Sequence, residues 1–254
     1  LRLAVVHPDR GAGFRGGVNL AEHGIQWVEV EPGSVVMGSD NRSVLFGGIG
    51  PRHEASIDYS FQISSRPIEH EEAARMVKAS KAEVASESEW ELANSRGLVS
   101  AEHGTTEELA DSAQDYWGKA CDGRPHVRQG PRPRILRKWD SRGPSPSVRF
   151  PGQQSSPSAV RLVIRNSPGW EENPPRLPVK RDNYRIVAEE AAISLFVGVI
   201  PSFVWAYFNA SEGYIRDGWL NLVLGGVFFG VFTMLFWRPR QPTWRVETGR
   251  MLAR

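Results

Sequence analysis

The sequence predicts an α+β protein in which an irregular, loop-rich domain is followed by a C-terminal two-helix transmembrane hairpin. Three observations carry this prediction. Two apolar stretches, residues 191–208 and 219–237, lie about ten residues apart near the C-terminus. Upstream, short alternating apolar runs and two amphipathic patterns are scattered through a chain of 254 residues that holds 25 Gly and 18 Pro. Mean hydropathy is −0.37 even with the apolar tail included. Such a composition fits short strands and loops better than a helical bundle.

The elements follow in order. Residues 1–26 show no periodic pattern, and their apolar run is too broken for a secretory signal. Targeting is therefore expected to rest on the hairpin, and the leading Leu points to a fragment or an alternative start codon. Residues 27–38, WVEVEPGSVVMG, read as two strands about a Pro-Gly turn. In residues 55–63, Ile57, Tyr59, Phe61 and Ile63 alternate with polar residues and share one face. A helix is predicted over residues 69–80, with Ala73, Ala74, Met76 and Val77 as its apolar stripe. A second is predicted over residues 86–95. Ser86 and Glu89 have the spacing of a capping box, while Trp90, Leu92 and Ala93 supply apolar mass.

Residues 104–157 are rich in Pro, Gly and Arg and contain only short runs. A last strand is expected at 159–164, AVRLVI, before an extended Pro-rich linker. The predicted organisation is a poorly defined segment 1–26, a domain 27–165, a linker 166–185, the hairpin 186–238 and a basic tail 239–254. No internal repeat is visible.

The net charge of +2 conceals a segregation. Residues 69–108 are mostly acidic, whereas 124–149 carry Arg124, Arg128, Arg132, Arg134, Arg137, Lys138, Arg142 and Arg149. Pro and Gly interrupt this basic run, so it is not a basic helix. It reads either as a solvated loop or as a contact for anionic lipid headgroups or a partner. Arg128, Arg132, Arg134, Arg137 and Lys138 are the candidates, and no nucleic-acid partner is expected. The single cysteine, Cys121, excludes an intrachain disulfide.

The second apolar stretch, WLNLVLGGVFFGVFTMLFW, contains no charged residue. As a helix it spans roughly 28 Å, close to the thickness of a bilayer's hydrocarbon. Trp219 and Trp237 close it at both ends, where amphipathic rings prefer the headgroup level. Lys180, Arg181 and Arg185 precede the hairpin, and Arg238, Arg240, Arg245, Arg250 and Arg254 follow it. The connecting loop sets Arg216 against Glu212 and Asp217. The positive-inside rule then places the large domain and the tail on the cytoplasmic side. Pro201 is expected to kink the first span. Gly226 and Gly230 form a GxxxG pattern that admits a second helix at close range. That helix is either the first span of the same chain or a partner in a homo- or hetero-oligomer.

These pieces occur in a recognisable order. VEVEPGSVVMG at 28–38 resembles the opening strand pair of the formylglycine-generating enzyme (sulfatase-modifying factor) family. Pro51 to Ile63 is similar to its Pro-x-His…Phe-x-Ile strand, and Arg66-Pro67-Ile68 to its Pro-Val-Thr helix start. The block Ala85-Ser86-Glu87-Ser88-Glu89-Trp90-Glu91-Leu92-Ala93 closely resembles the family's Leu-Pro-Thr-Glu-Ala-Glu-Trp-Glu-x-Ala-Ala. Weaker echoes lie at 104–109, at 134–139 and at Val160-Arg161-Leu162-Val163, which is similar to a closing Gly-Phe-Arg-Leu-Val. The resemblance covers roughly residues 27–165. It implies an irregular fold similar to C-type lectins.

It also implies where chemistry should lie. The family's oxidation uses a pair of thiolates that holds copper, located after its Arg-Gly-Gly-Ser-Trp block. Here the corresponding residues 140–157 contain no cysteine. Cys121 has no partner thiol and reads as an ordinary free thiol. The family's calcium-binding Asn aligns with Thr105, a poorer ligand, so no copper or calcium site carries over. His53, His70, His103 and His126 fit no metal spacing and are expected at the surface. Residues 47–50, Gly-Gly-Ile-Gly, read as a loop rather than a phosphate cradle. Trp90 and Glu91 are expected to serve the fold.

The sequence therefore points to a membrane-anchored, non-catalytic domain that binds or scaffolds at the cytoplasmic membrane face, without catalytic, cofactor or metal residues. The alternatives are a divergent oxidoreductase with a non-cysteine metal site and a structural subunit of a membrane complex.

Overall fold

The computed structural model describes residues 24–39, 50–113, 115–153, 159–180, 183–233 and 242–254. It is a mixed α and β structure, with three sheets among the described residues. The first sheet has the order β1-β4-β11-β6 and contains Trp27–Val30, Phe61–Ser64, Leu162–Arg165 and Glu83–Val84. The second, β5-β10-β7-β8-β9, is built from Ile68–Glu69, Ala159–Val160, Thr106–Glu108, Arg134–Asp140 and Gly143–Arg149. The third, β13-β12-β3-β2, joins Arg250–Ala253, Trp244–Glu247, His53–Ile57 and Gly33–Met37.

The two predicted helices of the domain form as α1, His70–Ala79, and α2, Glu87–Ser95. The capping box of α2 is present in both directions. The Glu89 amide donates to Ser86 Oγ at 3.2 Å, and the Ser86 amide donates to Glu89 Oε2 at 2.9 Å. Two orphan donors of the first turn are thus satisfied. The fixed start of α2 places Trp90 in the main core with Phe61, Ile63, Leu92 and Val163. Trp139 meets the Trp90 ring edge-on at 6.1 Å.

Several expectations change. The runs on either side of the Pro-Gly turn do not pair with each other. Val30 faces Phe61 of β4, and Met37 faces His53 of β3, so the turn passes the chain between sheets. The alternating run 55–63 is likewise split between β3 and β4, although Ile57, Tyr59, Phe61 and Ile63 all reach one core. A Pro-rich stretch holds a seven-residue hairpin strand, β9. Pro144 and Pro146 are tolerated because β9 is the edge of its sheet, where a missing donor costs no ladder bond.

Described parts of the expected linker and tail pack on the domain. Leu177 is fully buried and its amide donates to the Lys119 carbonyl at 3.0 Å. Both the Arg124 and Arg165 guanidiniums lie over the Trp170 ring, at 5.5 and 5.2 Å. Within the expected basic tail, residues 244–253 form strands: β12 runs parallel to β3, and Met251 packs with Met37, Ala55, Tyr116, Cys121 and Leu177.

Between these two attachments lie α3 (Asn183–Ile193), a π-helical stretch (Ser194–Val199), α4 (Ile200–Asn209) and α5 (Glu212–Thr233). Among the described residues, two helices, Val187–Asn209 and Gly213–Thr233, are long and apolar enough to cross a membrane. Only 11% and 22% of their most apolar windows is buried, unlike a soluble core helix. The predicted connecting loop is largely the first turns of α5, and the end of the predicted span at Trp237 lies outside the described residues. Pro201 sits in the first turn of α4, after the π-helical stretch, where i→i−5 bonding re-forms the ladder.

Gly226 and Gly230 face the first span of their own chain. A Cβ on Gly226 would meet Val199 Cα at 2.6 Å, and one on Gly230 would meet Ser194 Cα at 2.6 Å. Ser202 Oγ donates to the Leu222 carbonyl at 2.9 Å across the same seam.

Candidate functional site

The capping of α2 aims Glu87 inward, into a buried group of charges. The Glu87 amide donates to Asp111 Oδ2 at 2.6 Å. Its carboxylate Oε1 accepts from Arg137 at 2.6 Å and from the Tyr116 hydroxyl at 2.8 Å. Arg137 also reaches Glu91 at 2.6 Å and lies over the Trp90 ring. Glu91 thus ties α2 to β8. Lys119, fully buried, stands 3.9 Å from Asp111 and over the Tyr116 ring at 5.1 Å. His53 stacks obliquely on Tyr116 at 4.8 Å, and its Nδ1 meets the Pro51 carbonyl at 2.9 Å.

The electrostatics follow from this packing. Burial alone would raise Glu87, but Arg137 and Lys119 hold its carboxyl below the ordinary value. Burial lifts Asp111 to about 6, since Lys119 at 3.9 Å offsets only part of that cost and Glu87 adds repulsion. Burial, with Lys119 nearby, lowers His53 and His126 to about 4, so both are neutral at pH 7. Burial also pushes the Cys121 thiol up to about 12. Cys121 is therefore a thiol rather than a thiolate, and a poor nucleophile or metal ligand at neutral pH. Among the described residues, Glu87 Oε2, His53 Nε2 and His126 Nε2 have no hydrogen-bond partner. No group of three His, Cys, Asp or Glu among the described residues is arranged to hold a metal ion.

Two of the four histidines are not where the sequence places them. His53 is fully buried and His126 is half-buried, whereas His70 and His103 are exposed. The alternation of the 53–63 run, begun two residues earlier, would have put His53 on the inner face. Nothing in the sequence marks Asp111, Tyr116 or Lys119, which come from a loop and meet Glu87 only through the fold.

The five basic candidates do not form one surface. Arg137 is buried in the cluster just described, so it is corrected from a surface contact to an internal ion pair. Arg128 pairs with Asp115 at 3.1 Å. Lys138 is exposed on β8. Arg132 and Arg134 line a pocket of about 400 Å³ together with Arg149, which the sequence reading did not single out. A second pocket, of about 200 Å³, lies against Cys121, Asp122 and Trp170.

No protein-family model, curated protein or solved structure matches this chain.

Proposed function

We propose that this protein is a membrane-anchored, non-catalytic binding module, with a domain like that of the formylglycine-generating enzymes held at the cytoplasmic face of a bilayer. The observation that carries this reading is the double attachment of the hairpin. The chain leaves the domain at buried Leu177 and returns as β12 beside β3, in one packed cluster with Met251. This double attachment supports a hairpin whose two ends lie on the same side of the membrane, with the domain tethered at two points. The excess of Arg and Lys on those flanks favours the cytoplasmic side. The lone thiol is buried and protonated, which argues against the copper chemistry that the resemblance would imply.

Three experiments test this reading. Alkaline carbonate should leave the full chain in the membrane pellet, and external protease should spare the domain in intact cells but digest it in inverted vesicles. Digestion in intact cells would reverse the orientation. Conversion of a cysteine-containing sulfatase peptide to its aldehyde by the purified protein would overturn the non-catalytic assignment.

A further inference from the structure

We propose that the pocket of Arg132, Arg134, Arg149 and Phe150 binds a phosphate monoester. The proposal rests on the reading of the domain as a binding module and names its ligand class.

The register of the β8–β9 hairpin sets Arg134 directly opposite Arg149. Like charges in that relation repel and hold together best around a shared anion. Glu108, from neighbouring β7, supplies one: Oε2 lies 2.6 Å from Arg149, and Oε1 lies 3.6 Å from Arg134. Arg132, a third arginine, also lines the pocket and is exposed, with no carboxylate partner among the described residues. Among the described residues, three arginines against one carboxylate leave two positive charges unmatched. A phosphate monoester carries nearly two negative charges at neutral pH. Arginine suits it further because its planar fork bonds two phosphate oxygens at once. Phe150, 50% exposed beside the arginines, offers an apolar wall for the esterified group. The space of about 400 Å³ falls in the range of small-ligand sites. The ester could be a soluble metabolite or a lipid headgroup, and both share this chemistry.

The test is calorimetric titration of phenyl phosphate into the full chain held in phosphatidylcholine nanodiscs. Saturable one-to-one binding is expected, weakened roughly tenfold by Arg132→Gln, the loss of one charge-assisted pair. Arg142→Gln, at the far end of the hairpin, should bind as the wild type does. Absence of saturable binding, or equal weakening by both variants, would overturn the pocket. Discs that also carry phosphatidic acid separate the sources. A several-fold loss of phenyl phosphate affinity assigns the pocket to a headgroup, and unchanged affinity assigns it to a soluble ester. Carbonate extraction reads the anchor independently, so a chain that stays embedded but binds no phenyl phosphate loses the pocket alone.

Discussion

Arg161 and Glu107 form a two-point ion pair with both side chains fully buried. Arg161 Nε donates to Glu107 Oε2 at 2.7 Å and its Nη2 to Oε1 at 3.2 Å. The remaining guanidinium donors reach the carbonyls of Ser64, Ser65 and Ser100, and Glu107 also accepts from Trp139 at 2.6 Å. The pair sits where the expected strand 159–164 breaks into β10 and β11, and it binds the first sheet to the second. A buried guanidinium left without its carboxylate is costly. Glu107→Gln is expected to lower unfolding stability by about 3–5 kcal/mol. Glu108→Gln, whose pairs are partly solvated, should cost about 0–1 kcal/mol. Urea denaturation of the detergent-solubilised chain would compare them, and equal effects would contradict the assignment.

Acid should weaken the fold through His53. Its pKa is about 4 in the folded chain against 6.5 in the unfolded one. The unfolded state therefore binds more protons between those values, and stability falls as pH drops through that window. His53 contributes on the order of 3 kcal/mol to this fall. His126 acts in the same direction but is more open to solvent. Asp111, raised to about 6, acts in the opposite direction and partly offsets both. The melting temperature of wild type should drop more steeply with acid than that of His53→Gln. Parallel curves would remove His53 from the account.

The hairpin seam makes a prediction about partners. Gly226 is pressed against Val199 of the same chain, while a Cβ on Gly225 would meet nothing within 4 Å. Gly226→Leu should therefore lower the melting temperature in detergent, and Gly225→Leu should not. Cross-links between separate copies in the membrane should be unchanged by Gly226→Leu. Their loss would mean that the glycines face another subunit.

Cys121 should resist modification. It is 1% exposed and its thiol is pushed up to about 12. Iodoacetamide at neutral pH is expected to label the native protein negligibly and the urea-unfolded protein fully. Rapid labelling of the native chain would show that the thiol is accessible and activated.

The start of α2 is a case where local sequence sufficed. Ser86 and Glu89 lie three apart, and their mutual bonds need no distant residue. Ser86→Ala is expected to cost about 1 kcal/mol, measurable in the same urea series. The apolar spans were legible for a similar reason, since length and hydrophobicity are additive along a chain. The strand hairpin in residues 134–149 was hidden, because Pro144 and Pro146 forbid a strand unless it is an edge. The basic run showed its composition but not its destinations: Arg132 faces solvent and Arg137 faces Glu87.

By itself the sequence determined the starts of α1 and α2, the inward alternation of Ile57 to Ile63, the presence of two apolar helices and of one thiol. These depend on neighbours a few residues away. The tertiary structure decided that the C-terminal strands rejoin the sheet of β3 and that Lys119 and Asp111 close around Glu87. It also decided that Arg134 and Arg149 share a single carboxylate. Such relations join residues far apart in the chain, and only the pairing of strands brings their charges within reach.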